Sequence, residues 1–166
     1  MTGRSPGQAF DEALLLIGRL NYTWTNTESL LVHLIAGLAR TDKDTAVILF
    51  LTLNTMRARV DVVERLAKLD RVAAPDRARI LAATRQLVKI AATRNRYNHS
   101  IYAFDPESGN VRTILMRIAD KKDAIKMGQS TALDAGAMAE IDTAIQDLGG
   151  LNREIWAIIR DLGYPQ

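Results

Sequence analysis

The run Arg94-Asn95-Arg96-Tyr97-Asn98-His99 sets a guanidinium five residues ahead of an imidazole. Those two groups are the types that cleavage of a phosphodiester would use. Cutting RNA through its own 2′-hydroxyl requires a base near neutrality, an acid for the leaving oxygen, and positive charge on the phosphate. A histidine side chain ordinarily titrates near pH 6.5 and serves either proton role. Arginine carries a fixed charge and grips phosphate through two donors at once. On an ideal helix a spacing of five separates Arg94 and His99 by about 140°, so they do not share a face. Asn95 and His99, four apart, do share one, and Asn95 can orient the imidazole. The reach of the arginine, fraying of the last turn or a second subunit must close the remaining gap. Two copies of the histidine across a dimer axis would supply both base and acid, which predicts a homodimer with these helix ends near the two-fold axis.

The helix carrying these residues is unusual in two respects. Plotted at about 100° per residue from Arg77, its apolar arc holds Ile80, Ala83, Leu87, Ile90 and Ala91, and Arg94 falls in the middle of it. A guanidinium in such a place needs an acid or an anionic ligand. Glu28, on an otherwise apolar stripe of the first helix, is one candidate, with Asn21, Asn54 or Arg57 completing a polar network; a phosphate is the other. Second, between Arg71 and His99 seven basic residues (Arg71, Arg77, Arg79, Arg85, Lys89, Arg94, Arg96) face one acid, Asp76, against a net charge of +3 for the whole chain. Arg77, Arg85, Lys89 and Arg96 then form either an anion-binding face or a solvated face paired with acids on neighbouring helices. Tyr97 and Tyr102 flank His99 and either stack on a base or pack beneath the following strands. Arg57 and Arg59 either extend an anion path or are solvated. His33 and the two tryptophans, Trp24 and Trp156, read as core or interface residues.

Four long helical periods position these groups. The first runs from about Phe10 to Ala39, with Phe10, Leu14, Ile17, Trp24, Leu31, Ile35 and Leu38 on one stripe, and ends at the capping types Thr41-Asp-Lys-Asp44. The second spans about Asp44 to Leu69. Pro75 and Asp76 open the third, which extends to about Asn98. Short connections predict antiparallel packing. Beyond His99, Ser100–Phe104 and Val111–Ile118 are β-prone runs around Asp105-Pro-Glu-Ser-Gly-Asn110, a hairpin signal. Asp120–Ser130 is either a loop or a third short strand. A last helix begins near Thr131, and Gly149-Gly150 predicts a kink or break in it. The expected architecture is all-α: an up-and-down antiparallel bundle of four to five helices, with a small β-hairpin at about 100–118 before the last one. Residues 1–8 read as a disordered tail and 9–166 as a single domain.

Composition excludes several alternatives. At 166 residues the chain suits one ordinary domain. It has no cysteine, so disulfides, thiolate metal sites and thiol nucleophiles are ruled out. Two histidines and scattered acids offer no metal set, and no P-loop, GxSxG or dinucleotide fingerprint occurs, so neither metal nor cofactor is expected. The first residues lack an apolar leader core, and the longest apolar runs are too short to span a bilayer; the expectation is a soluble cytoplasmic protein with no membrane partner.

The hexapeptide at 94–99 resembles the Arg–(four to six residues)–His signature of HEPN domains (higher eukaryotes and prokaryotes nucleotide-binding). Asn95 supplies the polar residue that commonly follows the arginine, and the motif closes a long helix in a helical chain of about this size. His99 is followed by Ser100, where many members carry glycine or a hydrophobic residue. The resemblance implies paired subunits whose motifs share a cleft, and metal-independent cleavage of RNA of the toxin or defence type. In that scheme His99 works in proton transfer, Arg94 on the scissile phosphate and Asn95 in support. It also implies RNA as substrate or ligand and an antitoxin-like protein partner. The alternatives are a non-catalytic domain of the same fold that binds RNA, a nucleotide or a protein, and a purely structural helical bundle.

Overall fold

The computed structural model describes residues 6–105, 110–116, 118–126 and 128–166. Among these, five helices precede the strands and a sixth follows them. They are α1 (Pro6–Glu28), α2 (Leu31–Ala39), α3 (Lys43–Thr52), α4 (Met56–Ala67) and α5 (Ala74–Asn98), then β1 (Ser100–Phe104), β2 (Val111–Leu115), β3 (Ala119–Lys121), β4 (Ala124–Lys126), β5 (Gln129–Ala132) and α6 (Ala135–Asp161). The protein is therefore mostly helical but not strictly all-α. No helix among the described residues is long and apolar enough to cross a membrane.

The helices outnumber the expected four to five because two of the long periodic segments divide. The first stops at Glu28, where Thr27 and Ser29 turn their hydroxyls onto the carbonyls of Thr23 and Asn26. Such back-bonding competes with the helical ladder. The second divides at Leu53-Asn54-Thr55. Thr55 caps α4 by accepting from the Ala58 N–H at 3.1 Å, while the Arg59 Nε donates to the carbonyls of Phe50 and Leu53 at 3.1 and 2.9 Å. The orphan carbonyls that end α3 are thus satisfied by a side chain, which makes the break inexpensive. Asp42, from the expected capping run, accepts from the Thr45 N–H and opens α3.

The last helix starts later than expected. Thr131 lies in β5, and Asp134 is the cap, accepting from the Ala137 N–H at 2.9 Å. The break expected at Gly149-Gly150 does not occur; α6 runs unbroken to Asp161. Leu148, Leu151 and Ile155 are buried on either side of the glycines, so packing of that face outweighs their weak propensity. The helix closes at Gly163, whose φ of 61° is the left-handed conformation that glycine adopts without strain.

The expected hairpin forms: β1 and β2 pair antiparallel, Ser100 opposite Leu115 and Phe104 opposite Val111. Of its connecting turn, residues 106–109 lie outside the described residues, as do residues 1–5 of the expected tail; residues 6–8 already belong to α1. The stretch 120–130 holds parts of three short strands, β3, β4 and the start of β5. β3 pairs with β4, and β5 joins the far edge of β2 to give the antiparallel order β1-β2-β5, with Thr113 opposite Thr131 and Leu115 opposite Gln129.

The chain divides into two compact units, to both of which α1, α5 and α6 contribute residues. One comprises Met1–Tyr22 and Ala91–Gln146. Its core includes Ile17, Leu20, Tyr97, Val111 and Ile141, and Phe10 stacks on Phe104 with ring centres 5.4 Å apart. The other comprises Thr23–Ile90 and Asp147–Gln166. Leu31, Leu34, Ile35, Val60, Val63, Ile80, Leu87, Leu151 and Ile158 fill its core.

Candidate functional site

The end of α5 belongs to the first of these units. Here Ala92, Asn95, Arg96 and His99 line a groove of about 810 Å³, whose other wall is Leu115, Met116, Gln129 and Thr131. The four α5 positions follow the spacing i, i+3, i+4, i+7, one face of the helix. The stripe holds as far as His99 because its N–H still bonds to the Asn95 carbonyl at 3.1 Å. Opposite, Leu115 and Gln129 are register partners, and Thr131 lies two residues along β5, on the same side of the sheet. The Met116 N–H donates to the His99 carbonyl at 3.0 Å, tying the end of β2 to the end of α5. Ala92 leaves open the space that a larger side chain would fill.

His99 and Asn95 are exposed in this groove. Arg94 points elsewhere, as the helical geometry requires. It is half-buried; its Nε donates to the Asn21 side-chain oxygen at 3.2 Å, and its Nη1 to the Asn95 Oδ1 at 3.1 Å. The polar network foreseen for Arg94 thus includes Asn21 but is not built on Glu28. The Glu28 carboxylate belongs to the other unit, where it holds Arg59 at 2.8 Å and accepts from the Trp24 indole at 2.8 Å. Arg59 also lies over the Phe50 ring at 4.0 Å. It is a structural cation rather than part of an anion path, and the sequence did not distinguish it from Arg57, which pairs with Asp61 at the surface.

Arg96 reaches the groove but is held by Glu140 of α6 through two bonds, 2.6 and 3.1 Å long. The same carboxylate accepts from the Tyr97 hydroxyl at 3.3 Å and the Thr93 hydroxyl at 3.4 Å. The Tyr97 ring is 3% exposed. Burial, with the Glu140 charge second, pushes its phenol up to about 12. Tyr102 donates its hydroxyl to the Tyr97 carbonyl, and burial pushes it, too, up to about 12. Tyr97 is therefore packed in the core, and Tyr102, half-buried in β1, is tied to it through its hydroxyl.

Of the remaining expected anion-binding residues, Arg77, Arg85 and Lys89 belong to the other unit. Arg77 is half-buried and donates from Nη2 to the Val72 carbonyl at 3.1 Å, while Arg85 and Lys89 are exposed. Arg79, on the same basic run, pairs with Glu154 and Asp161 of α6. The helix's excess charge is thus partly answered by acids of α6, at Arg79 and again at Arg96. His33 donates from Nδ1 to the Pro165 carbonyl, 2.8 Å away, and lies 5.3 Å from the Trp156 ring, a packed histidine as its sequence context suggested. Among the described residues no cluster of three or more His, Asp or Glu side chains is arranged to hold a metal ion.

The sequence reading missed the groove's second wall and the Glu140 clamp. Gln129, Thr131 and Met116 carried no signal apart from their strands, and Glu140 looked like any helical acid. The Ala92-Asn95-Arg96-His99 stripe is present in the spacing, but spacing alone does not say that this face borders a groove. Comparison of the chain with protein families, with curated proteins and with solved structures yields no match.

Proposed function

We propose that this chain is a HEPN-like, metal-independent endoribonuclease, an up-and-down helical bundle that works as a homodimer in the cytoplasm. The reading is carried by one observation. His99, a proton carrier, stands exposed in an open groove one turn after Asn95, which in turn holds the Arg94 guanidinium. In this scheme one imidazole takes the proton of an RNA 2′-hydroxyl as its oxygen forms a bond to the adjacent phosphorus. The bond from phosphorus to the 5′-oxygen breaks, and the departing oxygen receives a proton from the histidine of the second subunit. Arg94 stabilises the charge that develops on the phosphoryl oxygens. A toxin or defence role, with an antitoxin-like protein as partner, completes the proposal.

Cleavage of a mixed-sequence RNA in the presence of a chelator tests it, comparing the natural protein with His99→Ala and Arg94→Ala. Loss of cleavage in both variants is expected. Equal cleavage by all three proteins overturns the proposal.

A second reading is favoured by the Arg96–Glu140 pair, which neutralises the nearest cation in the groove. It is a domain that binds RNA or a nucleotide without cutting it. Salt-dependent binding with the RNA recovered intact selects it over the first.

A further inference from the structure

Helix α1 is apolar on two faces. Ala13, Ile17, Leu20 and Trp24 turn inward, yet Leu14, Leu15 and Tyr22 stand 43%, 59% and 72% exposed. Gly18, exposed between them, has only open space where a Cβ would lie. At about 100° per residue, Asp11, Leu14, Leu15, Gly18 and Tyr22 share an arc of about 100° outside the buried face. A helix with a second apolar face has a second surface to cover. The three large side chains expose on the order of 350 Å², as much as the largest patch on an ordinary monomer.

The pattern is self-complementary about its glycine, which selects a second copy of the same helix over an unlike partner. Crossed antiparallel at Gly18, Leu15 of each copy faces Tyr22 of the other, and Leu14 of each faces Asn21 of the other. The glycine lets the two backbones approach closely. A parallel pair would instead set Asp11 against Asp11. Doubled across the axis, the core comes to about 700 Å², and a polar rim brings it to the roughly 1,000 Å² that a stable interface needs. The stripe also adjoins the candidate site. Asn21, about 4.5 Å along the helix from Gly18, accepts from Arg94, which donates to Asn95 at the edge of the His99 groove.

Resting on the two-subunit reading above, we infer that the exposed stripe of α1 is where a second copy of this chain docks, antiparallel across a two-fold axis at Gly18. Leu14 of the second copy then covers the Asn21–Arg94 bond and brings the two sites to one side of the pair.

Sedimentation velocity of the full chain, together with cleavage of a mixed-sequence RNA in chelator, tests the interface. The natural protein should sediment as a dimer at micromolar concentration. Gly18→Arg sets a charge on the axis and improves the helix propensity of each monomer. It should raise the dimer dissociation constant roughly a hundredfold or more, and abolish cleavage, without lowering the urea midpoint. Leu51→Asp, on the exposed apolar face of α3, should do none of this. The chain has no cysteine, so a thiol introduced by Gly18→Cys can join only its own copy. A mild oxidant should link Gly18→Cys chains in pairs, since a close crossing brings the two Cα atoms within the about 7 Å that a disulfide spans, and should leave Leu51→Cys unlinked. A dimer that survives Gly18→Arg, or a failure of Gly18→Cys to link, overturns the α1 interface and leaves the two-subunit reading intact. A natural chain that stays monomeric up to about 100 μM overturns both. A monomeric Gly18→Arg that cuts RNA at the natural rate overturns the part of the interface in the site. A natural dimer that cuts no RNA removes the nuclease reading and leaves the interface standing.

Discussion

Arg94 and Asn95 are neighbours in sequence, yet their side chains meet: the guanidinium Nη1 donates to the Asn95 Oδ1 at 3.1 Å. Successive side chains on a helix diverge by about 100°, so this contact requires the long arginine stem to curl back along α5. It matters because Asn95 lies one turn before His99, whereas Arg94 does not share the histidine's face. In the proposed site Asn95 would therefore be the link between the fixed charge and the imidazole. With its oxygen accepting from Arg94, the amide nitrogen would be the end left to orient the imidazole.

Replacing Asn95 by alanine should therefore act on turnover rather than on folding, since the residue is exposed. If His99 is the proton carrier, we expect Asn95→Ala to lower kcat roughly tenfold or more with little change in KM, and His99→Ala to lower it by roughly a hundredfold or more. Single-turnover RNA cleavage with each variant is the check. An Asn95→Ala enzyme as active as the natural one would show that the link has no role.

Glu140 restrains the groove's cation. Glu140→Gln keeps a hydrogen-bond acceptor for Arg96, Tyr97 and Thr93 but removes the negative charge. RNA binding should tighten, and the slope of log affinity against log salt should steepen by roughly one unit, as one more arginine becomes available to phosphate. The pair is about two-fifths exposed (43% and 39%), so the stability change should stay below about 1 kcal/mol. Anisotropy titrations across a salt series decide the matter; weaker binding would mean that Arg96 serves the fold alone.

The helices were readable because burial repeats with their period, as at Ile80, Ala83, Leu87 and Ile90 of α5, all of them buried. Their breaks were less so. The end of α3 depends on Arg59 reaching carbonyls six and nine residues before it, and the continuity of α6 through Gly149-Gly150 depends on buried neighbours; neither is a local property. Likewise, Asn95 and His99 shared a face by arithmetic alone. Their opposite wall did not emerge from sequence, because it is made by β5 pairing with β2 across the β3–β4 insertion. From sequence, Glu28 stands on an apolar stripe as the candidate acid for Arg94; the folded chain instead pairs it with Arg59, which sequence does not single out from among several arginines.

That selection has a measurable consequence. Glu28 and Arg59 are 13% and 19% exposed, and the carboxylate also satisfies the indole of the buried Trp24. Glu28→Ala strips partners from both groups and should destabilise the protein by roughly 2–4 kcal/mol, whereas Arg94→Ala, whose bonds to Asn21 and Asn95 are to neutral amides, should cost less. Urea denaturation of the two variants compares them directly. A larger loss for Arg94→Ala would mean that the guanidinium at the end of α5 is the more important structural cation.

The phenols of Tyr97 and Tyr102 make alkaline stability a further test. Tyr97 and Tyr102 are held neutral by burial, with folded-state values of about 12 against an ordinary value of 10; burial, and after it Asp76, raises Tyr164 as well. A phenol that is harder to ionise when folded favours the fold fully below pH 10, and this contribution disappears as the pH rises through 10 towards 12. For the buried Tyr97 the loss should be on the order of 2 kcal/mol, and for the half-buried Tyr102 somewhat less. Tyrosinate absorbance in the near ultraviolet should show at least two of the chain's four tyrosines ionising late in the native protein and at the ordinary pH in urea. Tyr102→Phe should remove one late phenol and flatten the alkaline fall in stability, at the expense of its hydrogen bond to the Tyr97 carbonyl, about 1 kcal/mol. Native phenols that all titrate together near 10 would place both rings in solvent, and would undo the assignment of Tyr97 and Tyr102 as the packed support beneath His99.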